Sequence, residues 1–245
     1  MSLPGKIVER LMRRYPGQST EVALRYLPVV RILRDAGASR VLEVGSGDLG
    51  LAPYSRHFEL TGLDLSFEQE NPDMRQITGS AARLPFEDRE FDAVVSVDAL
   101  EHIPKKDREP AITEMLRCAH RLVVIAVPYS AGARAQDKYL DERYRRVRGE
   151  DFPFLKEHLE GGLPEAEDLE RVIVRCLRGM GRSGGVVLHR NSNLRIRSFL
   201  MKGWISRNRF HYNLAVLGLM PFAGILSRMN WGRCYRIIAE VDIGD

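Results

Sequence analysis

Three glycines and one acidic residue have the types and spacing of a cofactor site. Gly45, Gly47 and Gly50 form a G-x-G-x-x-G run directly after the apolar stretch RVLEV, and Asp64 follows nineteen residues after Gly45. Glycines at such a strand-to-helix turn allow positive φ angles and a close approach of the backbone to a ligand. On spacing alone, this run is the fingerprint of a fold that binds an adenosine-bearing cofactor.

The residue two positions before the first glycine separates two classes of cofactor. Glu43 stands where a nicotinamide dinucleotide site usually has an apolar residue, and we expect its carboxylate to point at the cofactor crevice. A negative charge beside a pyrophosphate is repulsive in a low-dielectric site, whereas it is favourable beside a cationic cofactor. Glu43 therefore favours a cationic cofactor. An NAD-dependent oxidoreductase on the same fold stays open as an alternative, although no Tyr-x-x-x-Lys motif or paired cysteines support it.

Several motifs taken together resemble the class I S-adenosylmethionine-dependent methyltransferases, in particular the broad subgroup that acts on small molecules, lipids, quinones and sugars. These motifs are VLEVGSG, LTGLDLS and GSAARLPFEDREFDAVVSVDALEHI, and the resemblance covers residues 40–130 in register. It implies an α/β fold with a doubly wound, mostly parallel, seven-stranded Rossmann-like sheet. It also implies transfer of a methyl group from S-adenosylmethionine, with S-adenosylhomocysteine as the product.

The resemblance also implies roles for individual residues. The turn beneath the methionine part of the cofactor would be lined by Glu43, Gly45, Ser46 and Gly47, with Glu43 acting through water or on the amino group. Asp64 would accept both ribose hydroxyls, because the two oxygens of a carboxylate suit a cis-diol. The contacts to the adenine would come from Leu65, Ser80, Ala81 and Val97, with Asp98 just beyond them.

The sequence departs from the family pattern at two positions. The third glycine of the family usually falls at position 49, where this chain has Leu49 followed by Gly50, and Ser80 stands where an acid is usual. We expect Leu49 to point into the contact between helix and sheet and the Ser80 hydroxyl to accept from the adenine amino group. These departures leave a non-catalytic cofactor-binding protein as a second alternative.

Three further residues are candidates for catalysis on the acceptor side. Glu101 and His102 follow the fourth predicted strand, where the reacting methyl group should face the acceptor, and His158 lies on a lid-like segment. A histidine is suited to remove a proton from a hydroxyl acceptor, and Glu101 would orient the site. A helix cap or a solvent-facing position is the structural alternative for Glu101 and His102. No His/Asp/Glu cluster in the sequence suggests a metal.

The predicted elements alternate between helices and strands. A helix is predicted over residues 19–36, with Ser19 or Thr20 as its N-cap, Gly37 at its end and a kink at Pro28. Strands alternating with helices predict a parallel, doubly wound sheet. The predicted strands are RVLEVG, ELTGLDLS, MRQITGSA, FDAVVSVD, RLVVIAVPYS, GGVVLHRN and CYRIIAEVD.

We expect one methyltransferase domain over residues 1–245. Residues 1–38 would form N-terminal helices, residues 39–130 the cofactor-binding half, and residues 131–245 the substrate-side half. Between Ser130 and Pro164 the pattern is polar, aromatic and interrupted by glycine and proline, which predicts a loop or lid with short helices. An amphipathic helix in PEAEDLERVIVRCLRGMG and a helical insertion over residues 192–230 follow.

The composition is that of an ordinary globular protein. The formal net charge is +4, and the three cysteines lie far apart, which favours a reduced, cytoplasmic protein. The longest uncharged apolar run, residues 212–226, contains proline and is shorter than the roughly 18 residues of a spanning helix. The sequence therefore predicts no transmembrane segment.

A basic and aromatic stretch over residues 190–213 allows three interpretations. Ile196, Phe199, Leu200 and Gly203 recur at helical spacing, with Arg197 and Lys202 off that face, as in a helix that covers a core. Such a helix can also rest on a membrane surface as a peripheral contact. Nucleic acid is the weakest interpretation because no RNA-binding module is present. The aromatic and arginine content of residues 1–38, 130–165 and 192–230 suggests a small-molecule, sugar-phosphate or lipid-linked acceptor that is anionic and has an apolar portion.

Overall fold

The computed structural model describes residues 6, 9–11, 13, 18–54, 57–153, 155–156, 159, 163 and 165–244. His158, one of the candidate catalytic residues, lies outside these described residues. Seven strands form the sheet: β1 (Arg40–Val44), β2 (Glu59–Asp64), β3 (Arg75–Thr78), β4 (Phe91–Val97), β5 (Ala119–Pro128), β6 (Gly184–Asn193) and β7 (Cys234–Ile243). The principal described helices are α1 (Thr20–Asp35), α2 (Lys105–Cys118), α3 (Ser130–Arg148), α4 (Ala166–Gly179), α5 (Leu194–Ile205), α6 (Arg209–Asn213) and α7 (Ala223–Leu226).

The strands form a single mixed sheet in the order β3-β2-β1-β4-β5-β7-β6. Strands β1 to β5 pair in parallel, and β7 runs antiparallel between β5 and β6. The order reverses beside β1, so the strand ends on either side of β1 and β4 open a crevice of the kind that binds ligands in α/β folds. The predicted doubly wound, mostly parallel seven-stranded sheet is confirmed.

The sheet buries both faces, as its nearly continuous apolar strands require. On one face Leu42 and Val44 of β1 join a core with α2 and α4. On the other face Val41 joins a core with Val29 and Leu33 of α1. Successive side chains of a strand point to opposite faces, and this alternation assigns Glu43 to the α1 side.

Helix α1 begins and ends as its sequence predicts. The Ser19 hydroxyl accepts a hydrogen bond from the Val22 N–H, and Gly37 follows the helix with φ of 64°. Pro28 lies inside the helix and is buried. The capped start matters for function, because Glu21 and Arg25 on the first turns face the crevice described below.

The segment after β5 differs from its prediction. Residues 130–148 form the 19-residue helix α3 rather than a loop with short helices. Its buried positions include Ala133, Asp137, Leu140 and Asp141, which recur at helical spacing. Two of these are aspartates that count as polar in a sequence pattern, so the buried face was not recognisable as apolar.

The predicted helical insertion is present between β6 and β7. It comprises α5, α6, a π-helical segment (Leu214–Gly218), a short 3₁₀ turn and α7. Leu200, Ala215 and Met220 of this insertion pack with Ala23 and Leu24 of α1. Each helix of the described ranges is too short or too polar to cross a membrane.

Candidate functional site

The glycine turn after β1 has a geometry that only glycine tolerates well. Gly45 and Gly47 have φ angles of 78° and 55°. A Cβ added to Gly45 would lie 2.3 Å from the Cβ of Ala99, in the turn after β4. The Gly45 N–H donates to the Leu63 carbonyl at 2.7 Å, which fastens the turn to the end of β2. The turn is thus a narrow backbone cradle between the ends of three strands.

Asp64 fixes the same turn from the neighbouring strand. Its Oδ2 accepts from the Gly47 N–H at 2.7 Å, and its Oδ1 accepts from the Leu65 N–H at 2.7 Å. A carboxylate has about four lone-pair sites, so each oxygen retains capacity for a further donor. Asp64 is partly exposed and lines the crevice, which leaves that capacity available to a ligand.

A cavity of about 740 Å³ opens at this edge of the sheet. Its first half lies over the carboxyl ends of β1, β2 and β4, and we call it the strand-end half. Residues of this half are Gly45, Ser46, Gly47, Asp64, Leu65, Ser80, Ala81, Val97, Asp98 and His102. The structure therefore brings together every sequence-predicted cofactor residue except Glu43, together with His102.

The second half of the cavity lies under the helices and is mainly apolar; we call it the helical half. Trp204 and Phe152 contribute aromatic rings whose centroids are 5.2 Å apart, and Tyr144 stacks on both. The remaining apolar walls of this half are Val22, Leu155, Leu200, Met201, Ala215 and Val216. Its lining therefore suits an apolar or aromatic molecule.

Charged residues lie at the junction of the two halves. Asp98 has φ of 50° and forms a double ion pair with Arg236, including a 2.5 Å hydrogen bond from Arg236 Nε to Oδ1. Arg25 Nε lies 3.2 Å from Asp98 Oδ2, and Arg25 Nη2 donates to Glu21 at 2.9 Å. Arg236 also donates to Asn191 at 3.1 Å. Each guanidinium here already contacts a carboxylate.

A second buried group supports the helical half from below. Arg197 is buried, with its guanidinium 3.1 Å from Asp137 and 3.4 Å above the Tyr235 ring. The Tyr235 hydroxyl donates to the same carboxylate at 2.9 Å. This arrangement ties α3, α5 and β7 together, and burial raises the pKa of Tyr235 well above its ordinary value, so the phenol stays protonated.

Residues 42–127 match the model of a family described as "Methyltransferase domain". This stretch runs from within β1 to within β5 and includes the glycine turn, Asp64, Asp98 and His102. Residues 42–127 therefore form a methyltransferase domain. This match agrees with the resemblance of the sequence motifs to S-adenosylmethionine-dependent methyltransferases. No curated protein sequence matches the chain.

Solved methyltransferase structures are similar over nearly the whole chain. The plantazolicin methyltransferase BpumL, in complex with a triazolic desmethylPZN analog and SAH, is 11% identical, with a TM-score of 0.57, 98% of this chain covered and 90% of that chain. The magnesium protoporphyrin IX methyltransferase ChlM from Synechocystis PCC 6803, with bound SAH, is 17% identical, with a TM-score of 0.52 and coverage of 95% and 93%. A SAM-dependent methyltransferase from Archaeoglobus fulgidus is 14% identical, with a TM-score of 0.52 and coverage of 94% and 97%. At these identities the similarity shows a shared fold.

The side chain of Glu43 in this methyltransferase does not point at the crevice, contrary to the prediction. Glu43 is fully buried on the α1 side of β1, where its Oε2 accepts from the Leu51 N–H at 2.6 Å. Burial raises its pKa to about 8, although the Leu51 N–H and the Tyr26 hydroxyl both act to lower it. A carboxyl with that pKa is mostly protonated at neutral pH. A protonated carboxyl does not repel a pyrophosphate, so Glu43 does not argue against a nicotinamide dinucleotide. Its hydrogen bond instead stabilises the turn that ends in Leu51.

Glu43→Gln is expected to change how the stability depends on pH. The folded-state pKa of about 8 lies above the ordinary 4.5, so the stabilisation by the protonated group is complete below the unfolded-state value and is lost as pH rises through about 8. Glutamine keeps an acceptor for the Leu51 N–H and does not titrate. Between about pH 6 and pH 9 the wild type should lose on the order of 2 kcal/mol of unfolding free energy relative to the variant.

Urea denaturation at the two pH values measures this difference. Glu59→Gln, at an exposed position on β2, is the matched control and should follow the wild type. Parallel pH dependences of the wild type and Glu43→Gln would show that the Glu43 carboxyl ionises normally in the folded protein.

The candidate catalytic residues occupy different positions. His102, on the 3₁₀ turn Leu100–His102, lines the cavity, as predicted. Glu101 is buried and does not belong to the cavity lining; its carbonyl accepts from Arg108 at 2.7 Å. Burial and the nearby Asp98 charge raise the Glu101 pKa well above its ordinary value. A solvent-facing position for Glu101 is inconsistent with this burial.

Two smaller predictions also need correction. Leu49 was expected in the contact between helix and sheet but is exposed. Arg197 was expected off the buried face of its helix but is buried beside the cavity. The described residues contain no group of three or more His, Cys, Asp or Glu side chains that could hold a metal ion.

Sequence reasoning did not identify the charged and aromatic residues at the junction and in the helical half. These are Glu21, Arg25, Phe152, Trp204, Tyr235 and Arg236. They come from α1, the segment after α3, α5 and β7, so no local motif contains them. One usable signal was Arg236 within the apolar strand CYRIIAEVD, because a charge inside a buried strand needs a partner.

Proposed function

We propose that the strand-end half of the cavity binds S-adenosylmethionine and that the helical half binds an acceptor with an apolar or aromatic body. The observation that carries this proposal is the joining of the two halves in one cavity, with a glycine cradle at one end and an aromatic wall at the other. A narrow backbone turn and a partly satisfied carboxylate fit the cofactor, and the cavity volume accommodates two ligands of moderate size.

In this proposal each predicted cofactor residue except Asp98 has a defined part. The turn of Gly45, Ser46 and Gly47 lies under the methionine portion, and Asp64 accepts the ribose hydroxyls with the capacity left on its oxygens. The adenine lies among Leu65, Ser80, Ala81 and Val97. The Ser80 Oγ accepts the Ala82 N–H at 3.3 Å, so the hydroxyl retains a proton to donate and a second lone pair. Glu43 acts indirectly, by holding Leu51.

The charges at the junction favour an uncharged acceptor over the anionic acceptor expected from composition. Arg25 and Arg236 contact Glu21 and Asp98, while Arg197 contacts Asp137. An anion would have to compete with one of these carboxylates for its arginine, which is costly in a largely buried site. A small molecule or lipid-linked molecule with a neutral nucleophilic hydroxyl fits the lining better than a sugar phosphate does.

The chain's own residues then perform two tasks. When bound, S-adenosylmethionine supplies a methyl group on a positively charged sulfur, which keeps the bond electrons as the acceptor oxygen takes the methyl. The cradle and the aromatic wall align the two ligands, and alignment of this kind can supply about 7–11 kcal/mol of barrier reduction. His102 removes the proton of the acceptor hydroxyl with a ring nitrogen, and we assign it the role of general base.

Two substitutions should separate the two halves of the cavity. Asp64→Ala removes charge-assisted hydrogen bonds and should weaken S-adenosylhomocysteine binding about 100-fold, measured by calorimetric titration. Trp204→Ala should leave that affinity unchanged while raising the KM of the acceptor found by screening hydroxylated aromatic and lipid-like compounds. Asp48→Ala is the matched control, because Asp48 holds the Glu68 N–H at 2.9 Å on the same edge without lining the cavity.

Unchanged S-adenosylhomocysteine affinity in Asp64→Ala would refute the ribose assignment. A loss of that affinity in Trp204→Ala would refute the division into two halves. Titration with NADH on the same preparation tests the nicotinamide alternative, and binding of the methyl donor without turnover of any acceptor would favour a non-catalytic protein.

A further inference from the structure

The charge of the chain is distributed very unevenly along the sequence. Residues 171–239 contain 12 arginines and one lysine but no aspartate or glutamate, so all 33 acidic residues lie outside this stretch. The stretch includes most of α4, strand β6, the insertion and the start of β7. Arg171, Arg175, Arg197 and Arg236 of this stretch pair with carboxylates that lie outside it. The positive charge that can attract an anionic partner therefore comes from the other cations of the stretch.

Part of the insertion also exposes large apolar side chains. Phe222 is 54% exposed, Ile225 is 67% exposed and Trp231 is 61% exposed. Phe222 and Ile225 lie three residues apart at α7 and so project from the same side of the helix. On the other side Ala223 is buried in the cluster that joins the insertion to α1. The exposed side chains of Phe222 and Ile225 therefore lie at a helix that is packed against the rest of the protein.

Two arginines lie close to these apolar side chains in the sequence. Arg228 and Arg233 are exposed, and no ion-pair partner is found for either among the described residues. The pKa of the nearby Arg31 is lowered, first by burial and next by the positive charge of Arg228. We call Phe222, Ile225, Arg228, Trp231 and Arg233 the α7 surface.

Helix α5, which the sequence suggested for membrane contact, does not provide such a surface. Its Leu200 and Gly203 are buried, and Arg197 is engaged with Asp137. Phe199 alone of its predicted apolar stripe is largely exposed. The helix covers the core and the cavity. Besides Phe199 and Phe210, the exposed large apolar side chains of the insertion are the three at α7 and the turn after it.

We propose that the α7 surface docks on an anionic lipid bilayer. Aromatic side chains beside arginines match the layered polarity of a bilayer surface, where apolar groups enter the acyl boundary and guanidinium groups meet anionic headgroups. Phe222, Ile225 and Trp231 project from the N-cap of a four-residue helix, the helix itself and the turn after it, and none of them lines the cavity. Arg228 and Arg233 supply the complementary charge. Docking requires neither the cofactor nor the acceptor and is independent of the proposed function.

Vesicle binding of the full chain tests the proposal. Co-sedimentation is compared on vesicles of phosphatidylcholine alone and of phosphatidylcholine with phosphatidylglycerol, at low and high salt. Binding should be at least about tenfold stronger on the anionic vesicles and should weaken at high salt. Trp204→Phe leaves Trp231 as the one tryptophan of the two in the chain, and its emission should shift to shorter wavelength on anionic vesicles.

Paired substitutions separate the two components of the surface. Arg228→Gln/Arg233→Gln should weaken anionic-vesicle binding about 30-fold, at about 1 kcal/mol for each arginine. Phe222→Ser/Ile225→Ser should weaken it by about tenfold or more. The matched controls are Arg178→Gln, exposed on α4, and Val187→Ser, 54% exposed on β6; both should bind as the wild type does.

Equal binding to both kinds of vesicle, or none, would overturn the proposal. So would loss of binding in the arginine pair with full binding in Phe222→Ser/Ile225→Ser, because the surface would then be a site for polyanions without insertion. Saturable binding to polyglutamate or RNA in the absence of vesicle binding would assign the surface to an acidic protein or to nucleic acid.

Discussion

Arg236→Met is expected to destabilise the protein by about 3–5 kcal/mol, the usual cost of breaking a buried ion pair by removing one partner. Arg236 is 1% exposed and meets Asp98 through two hydrogen bonds, with Asn191 as a third partner. Methionine retains much of the apolar volume but leaves Asp98 beside Arg25, whose Nε lies 3.2 Å from Asp98 Oδ2. The Asp98 backbone, held at φ of 50°, cannot turn away cheaply.

Urea denaturation of the Arg236→Met and Arg190→Met variants checks this expectation. Arg190 is exposed on the neighbouring strand β6, so its substitution should change the unfolding free energy little. Adding Asp98→Asn to Arg236→Met should recover part of the loss, because the double variant no longer buries an unbalanced charge. A loss below about 1 kcal/mol in Arg236→Met would show that the ion pair is not important for stability.

The parts of the structure that the sequence predicted correctly depend on neighbouring residues. Every strand of the sheet was located from short apolar runs, and the turn of Gly45 and Gly47 with Asp64 was recognised because all three lie within twenty residues of chain. The backbone of such a turn is determined by local sterics and nearby hydrogen bonds. The α1 boundaries followed from a local cap for the same reason.

The parts that were missed depend on contacts between distant elements. Asp137 is buried in α3 because Arg197 and Tyr235 engage it, and no pattern within residues 130–148 reveals those partners. Asp141 differs, because its partner Arg145 lies one turn further along the same helix. The acceptor side of the cavity is likewise assembled from several elements that are far apart in the sequence.

The predicted direction of the Glu43 side chain was wrong for a different reason. Its neighbours Leu42 and Val44 face the α2 and α4 side of the sheet, so strand alternation points Glu43 at α1 and Tyr26. The two-residue period of β1 predicts the observed direction of Glu43, whereas the charge of the cofactor does not.

His102→Gln is expected to lower kcat by about 10²–10⁴-fold once the acceptor is known, the usual contribution of a positioned general base. Among the residues proposed for catalysis, His102 lines the cavity whereas Glu101 is buried behind it. The His102 N–H donates to the Ala99 carbonyl at 3.0 Å, which holds the histidine in the turn that also closes over Gly45. The His102 ring therefore belongs to the same turn as Ala99, the residue that packs on Gly45 of the glycine turn.

The pH dependence of turnover distinguishes proton transfer from a structural role. Activity of the wild type should rise with pH as the base loses its proton, which gives the pH–activity profile an ascending limb. His102→Gln should lack this ascending limb, while its affinity for S-adenosylhomocysteine stays unchanged. His120→Gln, at an exposed position in β5, is the matched control and should keep both. Full turnover in His102→Gln, with the ascending limb intact, would exclude His102 as the base and direct attention to His158. Reduced turnover in His102→Gln with the ascending limb intact would mean that His102 positions the acceptor. Another group or water would then accept the proton of the acceptor hydroxyl.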